Sequence, residues 1–253
     1  MSRQPSLKRP PIHEALIDIR CVVPETFSAA SIADVASSLG ASLGLDVQEV
    51  RKVRDAKIGL DSQSTHVTVE SSDEMVERVV LKNQSGDRVV QLWADGVTAS
   101  HLFPYGGWGD LESLSERAFE AWAQLASPID VRRLAARFIN RIGFEGQNVD
   151  LDRLFTCAPE VPDGLPDDLF YFTSRVGIQD KSRDLIAWVL LEAAPHLTRG
   201  TSGVIVLDID VVKERRFGSF RFSDLRPHLA AIRDMKNAAF FGAITGEKLK
   251  DYE

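Results

Sequence analysis

The sequence predicts an α+β protein of two similar halves, each a curved antiparallel sheet packed by helices. Three observations lead there. Residues 46–103 carry no helical period, only short Val-, Ile- and Thr-rich runs broken by turn residues. Segments with apolar residues at helical spacing stand on both sides of that region. The order strand, helix, several strands, helix then recurs after Pro128, a weak internal duplication that divides the chain into residues 1–127 and 128–253, either as two units or as one continuous bilobal domain.

The elements follow in chain order. After Pro10-Pro11, Glu14 to Val23 (EALIDIRCVV) is rich in β-branched residues and predicts a strand, with Asp18 and Arg20 on one side and Ile17 and Ile19 on the other. Ile32, Val35, Ala36, Leu39 and Leu43 lie on one helical face, and Gly44 stops that helix. VQEVRKV, THVTVES, ERVVLKN, RVVQLWA and VTASHLF then predict a meander, with Asn83-Gln84-Ser85-Gly86 and Asp95-Gly96 as turn chemistry. Asp110 is placed to cap a helix carrying Leu111, Leu114, Ala118, Trp122 and Leu125, which ends before Ser127-Pro128.

The second half opens on a conflict. In VRRLAARFINRI, Val131, Leu134, Ala135, Phe138, Ile139 and Ile142 fit a helical stripe, whereas a strand puts Arg133, Arg137 and Arg141 on one face. Periodicity prefers the helix; correspondence with EALIDIRCVV prefers the strand, and the strand is taken for residues 130–142. DLDRLF reads as a short helix, FYFTSRV, IAWVLLEA and GVIVLDIDVV as strands, and Ser223 as the opening of a last helix with Leu225, Leu229, Ile232 and Met235 inward. Lys236-Asn237 is read as the end of that helix, with Phe240 and Phe241 folding back into the core.

Composition bounds the function. A chain of 253 residues with 44% apolar residues can bury a substantial core. A net charge of -7 argues against coating duplex DNA or an acidic membrane through the overall field, although a local basic patch is compatible with it. Cys21 and Cys157 form neither a disulfide framework nor a thiolate metal site. MSRQPSLKRPPIHEA has no apolar stretch after its basic residues, and no run approaches the roughly 20 apolar residues of a membrane span, so a cytoplasmic protein without membrane contact is expected.

Four segments are candidates for chemistry. Arg132, Arg133, Arg137 and Arg141, with Asn140 among them, form a basic comb suited to carboxylates or phosphates, or else a solvated face paired with the chain's own acids. KERRFGSFRFSD interleaves cations with Phe217, Phe220 and Phe222, as single-strand binders do, although a core strand explains the alternation equally. Asp208 and Asp210 share one side of a strand and could hold a divalent metal, but no phosphate loop or histidine cluster accompanies them. Tyr105 and Trp108 in HLFPYGGWGDL suit either a recognition corner or a plug for the end of a helix.

PPIHEALIDIR, PYGGW, RFINRI, VLDIDV and KNAAFF, in that order and across almost the whole chain, resemble a sporadically distributed bacterial family of unknown function. Its patchy occurrence implies accessory genes such as those of defence or toxin and antitoxin cassettes. The element order is similar to that of TATA-binding-protein-like and helix-grip folds, which form concave binding sheets. No complete catalytic constellation is present, so the leading expectation is a non-enzymatic module that binds a partner protein, needs no cofactor and uses Tyr105, Trp108 and the sheet surface. A nucleic-acid or nucleotide binder through Arg133, Arg137, Arg141 and residues 215–222 is the first alternative, and a divalent-metal enzyme using Asp208 and Asp210, with Arg137 as an electrostatic stabiliser, the second. Lys236 and Asn237 complete the candidate binding residues.

Overall fold

The computed structural model describes residues 7–28, 30–53, 56–60, 67–71, 75–145, 150–160, 162–164, 171–193, 198–199 and 202–253. Strand β1 (Ile12–Val22) leads through helix α1 (Ala30–Leu43) to β2 (Asp46–Val53), β3 (Ala56–Leu60), β4 (Val67–Ser71), β5 (Met75–Lys82), β6 (Arg88–Trp93), β7 (Gly96–Leu102) and α2 (Trp108–Ala126). The chain continues through β8 (Asp130–Glu145), α3 (Leu151–Leu154), β9 (Phe172–Asp180), β10 (Leu185–Ala193), β11 (Thr198–Arg199), β12 (Ser202–Glu214), α4 (Phe222–Ala243) and α5 (Gly246–Leu249). The fold is α+β. Among the described residues, one ten-stranded antiparallel sheet runs β2-β5-β6-β7-β1-β8-β12-β10-β9, with β11 beside β12, and β3 and β4 form a separate ribbon.

Alternation decides which face each strand buries. Ala15, Ile17, Ile19 and Cys21 of β1, Val97 and Ala99 of β7, Leu134, Ala136, Phe138 and Ile142 of β8, and Ile205, Leu207, Ile209 and Val211 of β12 all point to one side and are buried there. The helices cover that side: α1 packs on β2 and β5, α2 on β7 and β1, and α4 on β8, β12 and β10. Trp122 and Phe119 of α2 stack on each other, and Phe119 meets Phe222 of α4, so the two long helices close over the middle of the sheet. No described helix packs on the opposite face.

Residues 130–142 are strand. Both edges of β8 are hydrogen-bonded along most of their length, to β1 on one side and β12 on the other, and its even-numbered residues from Leu134 to Ile142 enter the core. Two full ladders outweigh the helical stripe, because neither neighbour could otherwise satisfy its backbone.

Other expectations need correcting. Gly107, without a side-chain cap, precedes α2, and Asp110 sits inside the first turn, where its charge favours the positive helix end. Helix α4 starts at Phe222, one residue before Ser223, and runs to Ala243, so Lys236 and Asn237 are interior helical residues and not its end. Phe240 and Phe241 therefore meet the core from the helix itself, Phe240 buried and Phe241 half-buried. The aromatic alternation of residues 215–222 builds no strand: β12 ends at Glu214, Phe217 is half-buried, Phe220 is exposed and Phe222 is a buried helical residue.

Candidate functional site

The helix-free face is a ladder of charges set by strand register. Arg78 of β5 stands opposite Trp93 of β6, Trp93 opposite Gly96 of β7, Gly96 opposite Arg20 of β1, and Arg20 opposite Arg133 of β8. Gly96 has no side chain, so the Arg20 guanidinium reaches across it and lies 4.4 Å from the Trp93 ring centre, with Arg78 at 5.2 Å. In parallel rows Thr98 faces Asp18, and Leu16 faces Arg137, which faces Asp210. The depression between these strands measures about 500 Å³.

The carboxylates lie low in this surface and the guanidiniums high. Asp18 accepts from Arg20 Nε at 3.0 Å, Thr98 Oγ1 at 2.6 Å and Arg133 Nη1, and Asp208 accepts from Arg137 Nε at 2.9 Å and from its Nη2 at 2.5 Å. Side-chain exposure is 9% for Asp18 and 10% for Asp208, against 27% for Arg133 and 45% for Arg137. Asp95, itself partly exposed, also pairs with Arg20 and Arg132. Buried acids thus hold a cationic surface in fixed orientation. Asp210 differs: burial pushes its carboxyl above the usual range, against the pull of Arg133 and Arg137.

Asp18→Asn tests this arrangement. The substitution leaves two neighbouring arginines without their buried counter-charge, and removing one partner of such a pair costs about 3 kcal/mol. The urea midpoint of the variant is expected to fall accordingly, and an unchanged midpoint would show that the network carries no stability.

A second constellation lies where β1, β8 and α4 meet at one end of the sheet. Tyr105 packs edge-on against Phe138 and His101, while Trp108 stacks on Phe138 at 6.3 Å and donates from Nε1 to Glu112. Both rings are half-buried, so this corner plugs the end of α2; Phe103 and Pro104 are its exposed members. Asn140, fully buried on the core side of β8, donates from Nδ2 to the carbonyls of Leu207 and Phe138. Lys236 places its Nζ 3.9 Å from the Phe138 ring centre. Tyr105, Asn140, Lys236 and Asn237 line a pocket of about 280 Å³ together with Arg233.

Lys236 has no ion pair among the described residues. Burial, aided by the Arg233 charge, pushes its ammonium down to about 8 from an ordinary value of 10.5. The unfolded chain therefore holds a proton that the folded chain has released between these values, and folding stability rises with pH across that window. Lys236→Met is expected to flatten the rise, read from urea unfolding at about pH 7.5 and about pH 9.5. An identical slope in both proteins would show that the lysine titrates normally.

The candidates predicted from sequence thus fall into two groups. Arg133, Arg137, Asp208 and Asp210 meet on the open face, and Tyr105, Trp108, Asn140, Lys236 and Asn237 at the end of the sheet, where Arg141 also points. Both aspartates of the DxD face arginines, which compete with a divalent cation for them, and no group of three or more His, Cys, Asp or Glu suited to a metal exists among the described residues. Sequence reasoning missed Arg20, Arg78, Trp93 and Asp95 as site residues. The alternation of RVVQLWA could have put Gln91 and Trp93 on one face, but the partners across the sheet come from β1 and β8, which no local pattern pairs. No protein-family model matches the chain, and no curated protein matches it in sequence. Among the described residues, no helix is long and apolar enough to cross a membrane.

Proposed function

We propose that the protein is a non-enzymatic, cytoplasmic bacterial accessory module that binds a carboxylate-rich segment of a partner protein on its open sheet face. One observation carries the reading: on a chain of net charge -7, Arg20, Arg78, Arg132, Arg133 and Arg137 converge on one depression, and buried Asp18 and Asp208 hold Arg20, Arg133 and Arg137 from beneath. An array already oriented by buried acids loses little side-chain entropy when a partner arrives. Free Cys21 and exposed Cys157 suit a reducing compartment. The central pairing of β1 with β8, each flanked by the last meander strand of its own half, supports two similar halves of the TATA-binding-protein-like kind, with the concave sheet as the binding surface.

Nucleic acid is the competing occupant, and one feature disfavours it: Trp93, the aromatic ring lining the depression, already carries an arginine contact on either flank and offers a base no free face there. Fluorescence anisotropy with a labelled poly-glutamate peptide and a labelled single-stranded oligonucleotide separates the two. The peptide is expected to bind at low salt, to weaken as salt screens the contact, and to be lost in Arg137→Glu. Tighter binding of the oligonucleotide would replace the reading, and absence of binding by either would remove it.

A further inference from the structure

The end of the sheet gathers cations from four separate segments of the chain. Beside the Lys236 pocket lies a second cleft of about 520 Å³, lined by Lys8, Arg9, Arg141 and Lys248 with Phe103, Tyr105 and Tyr252. The two share Pro10 and Tyr105 and so adjoin. Among the described residues, neither is lined by a carboxylate. Lys8, Arg9, Arg141, Arg233 and Lys236 make no ion pair among the described residues; Lys248 alone does, with exposed Asp251.

The positions of these cations are built. Arg141 N donates to the Pro11 carbonyl at 2.8 Å and Arg9 N to the Tyr252 carbonyl at 3.1 Å, which fixes the Pro10-Pro11 segment between β8 and the C-terminal turn. Lys248 Nζ is tied to the Gly143 carbonyl at 2.8 Å. The Tyr252 hydroxyl, buried beside them, has no hydrogen-bond partner among the described residues, an arrangement that costs stability. An acidic protein has carboxylates in plenty to place near six cations. Their exclusion from both pockets leaves mutual repulsion that a bound anion relieves.

We propose that this double cleft binds an organic polyanion with a flat apolar body, of the nucleotide class. Several charges are needed because the cations are spread over both pockets. Arginine and lysine together suit phosphate oxygens. Phe103, Tyr105, Tyr252 and the prolines provide the apolar wall against which a ring lies, and the two volumes are of the size that holds a small ligand. The cleft is separate from the open-face depression and involves none of its lining residues.

Isothermal titration with ATP, without added divalent cation, at low salt, tests the assignment. ATP is expected to bind with a dissociation constant of about 100 μM or tighter, adenosine not at all, and inorganic tripolyphosphate about tenfold more weakly than ATP because it lacks the ring. Arg141→Ser removes an unpaired cation and should weaken ATP about tenfold with no loss of melting temperature; Lys236→Met should do the same while the fold gains stability. Arg137→Glu, in the separate open-face depression, should leave ATP binding intact. Failure of ATP to bind, tripolyphosphate binding as tightly as ATP, unchanged affinity in both cleft variants, or loss in Arg137→Glu alone would each overturn the assignment.

Discussion

A chain ended after Asn237 is expected not to fold. Residues 238–253 carry Phe240, Ala243 and Ile244, all buried, and Leu249 and Tyr252 packed on the same core. Ile244 also forms a β-bridge with Phe155, and Thr245 N donates to the Leu154 carbonyl at 3.0 Å, so α3 loses its anchor as well. Deleting a buried Phe or Ile side chain alone costs about 2–5 kcal/mol each, and a whole domain is stable by only about 5–15 kcal/mol. The truncated protein should be insoluble or show no cooperative melt. A soluble product with the parent's melting temperature would mean that the C-terminal segment is ornamental.

Gly96→Ala is expected to be the most damaging single methyl group. A Cβ built there lies 2.0 Å from the Ile19 carbonyl oxygen and 3.1 Å from the Arg20 Cα, both backbone atoms of the paired strand. Strand β7 must then move away from β1 at the point where the Trp93 to Arg20 contact crosses it. Overpacking against rigid backbone costs about 3 kcal/mol or more, which in a chain of this size lowers the melting temperature by about 10 °C. Gly177→Ala is the informative contrast. Its Cβ would meet the Trp188 ring at 2.6 Å, but Trp188 is 39% exposed and can swing outward, so the loss should stay below about 1 kcal/mol. Equal melting temperatures for the two variants would contradict the steric account.

Much of the fold was legible because alternation survives locally. EALIDIRCVV and GVIVLDIDVV declare their buried and open sides residue by residue, and the Asn83 to Gly86 and Asp95-Gly96 turns declare the hairpins. The end of α4 was misread because Lys-Asn is good helix-stopping chemistry when seen alone. Tertiary burial of Met235, Phe240 and Ala243 carries the helix past it. The arginine comb was visible as a comb, but its partners were not. Asp18 lies far from Arg133 in sequence, and only the β1 to β8 register brings them together. The terminal cleft was hardest to foresee, since Lys8, Arg141 and Lys248 belong to three remote segments.

The place of β1 at the middle of the sheet has a consequence for synthesis. When the ribosome has released everything up to α2, β1 can already pair with β7, yet its other side stays bare until Asp130–Glu145 has been made. For that interval the growing half exposes a long strand edge with donors and acceptors unused, the kind of surface on which two nascent chains join. Pairing over so wide a sequence separation also closes slowly. Slower translation just after Ala126 would therefore lengthen the vulnerable period, and a peptide copying Asp130–Glu145 should intercept it.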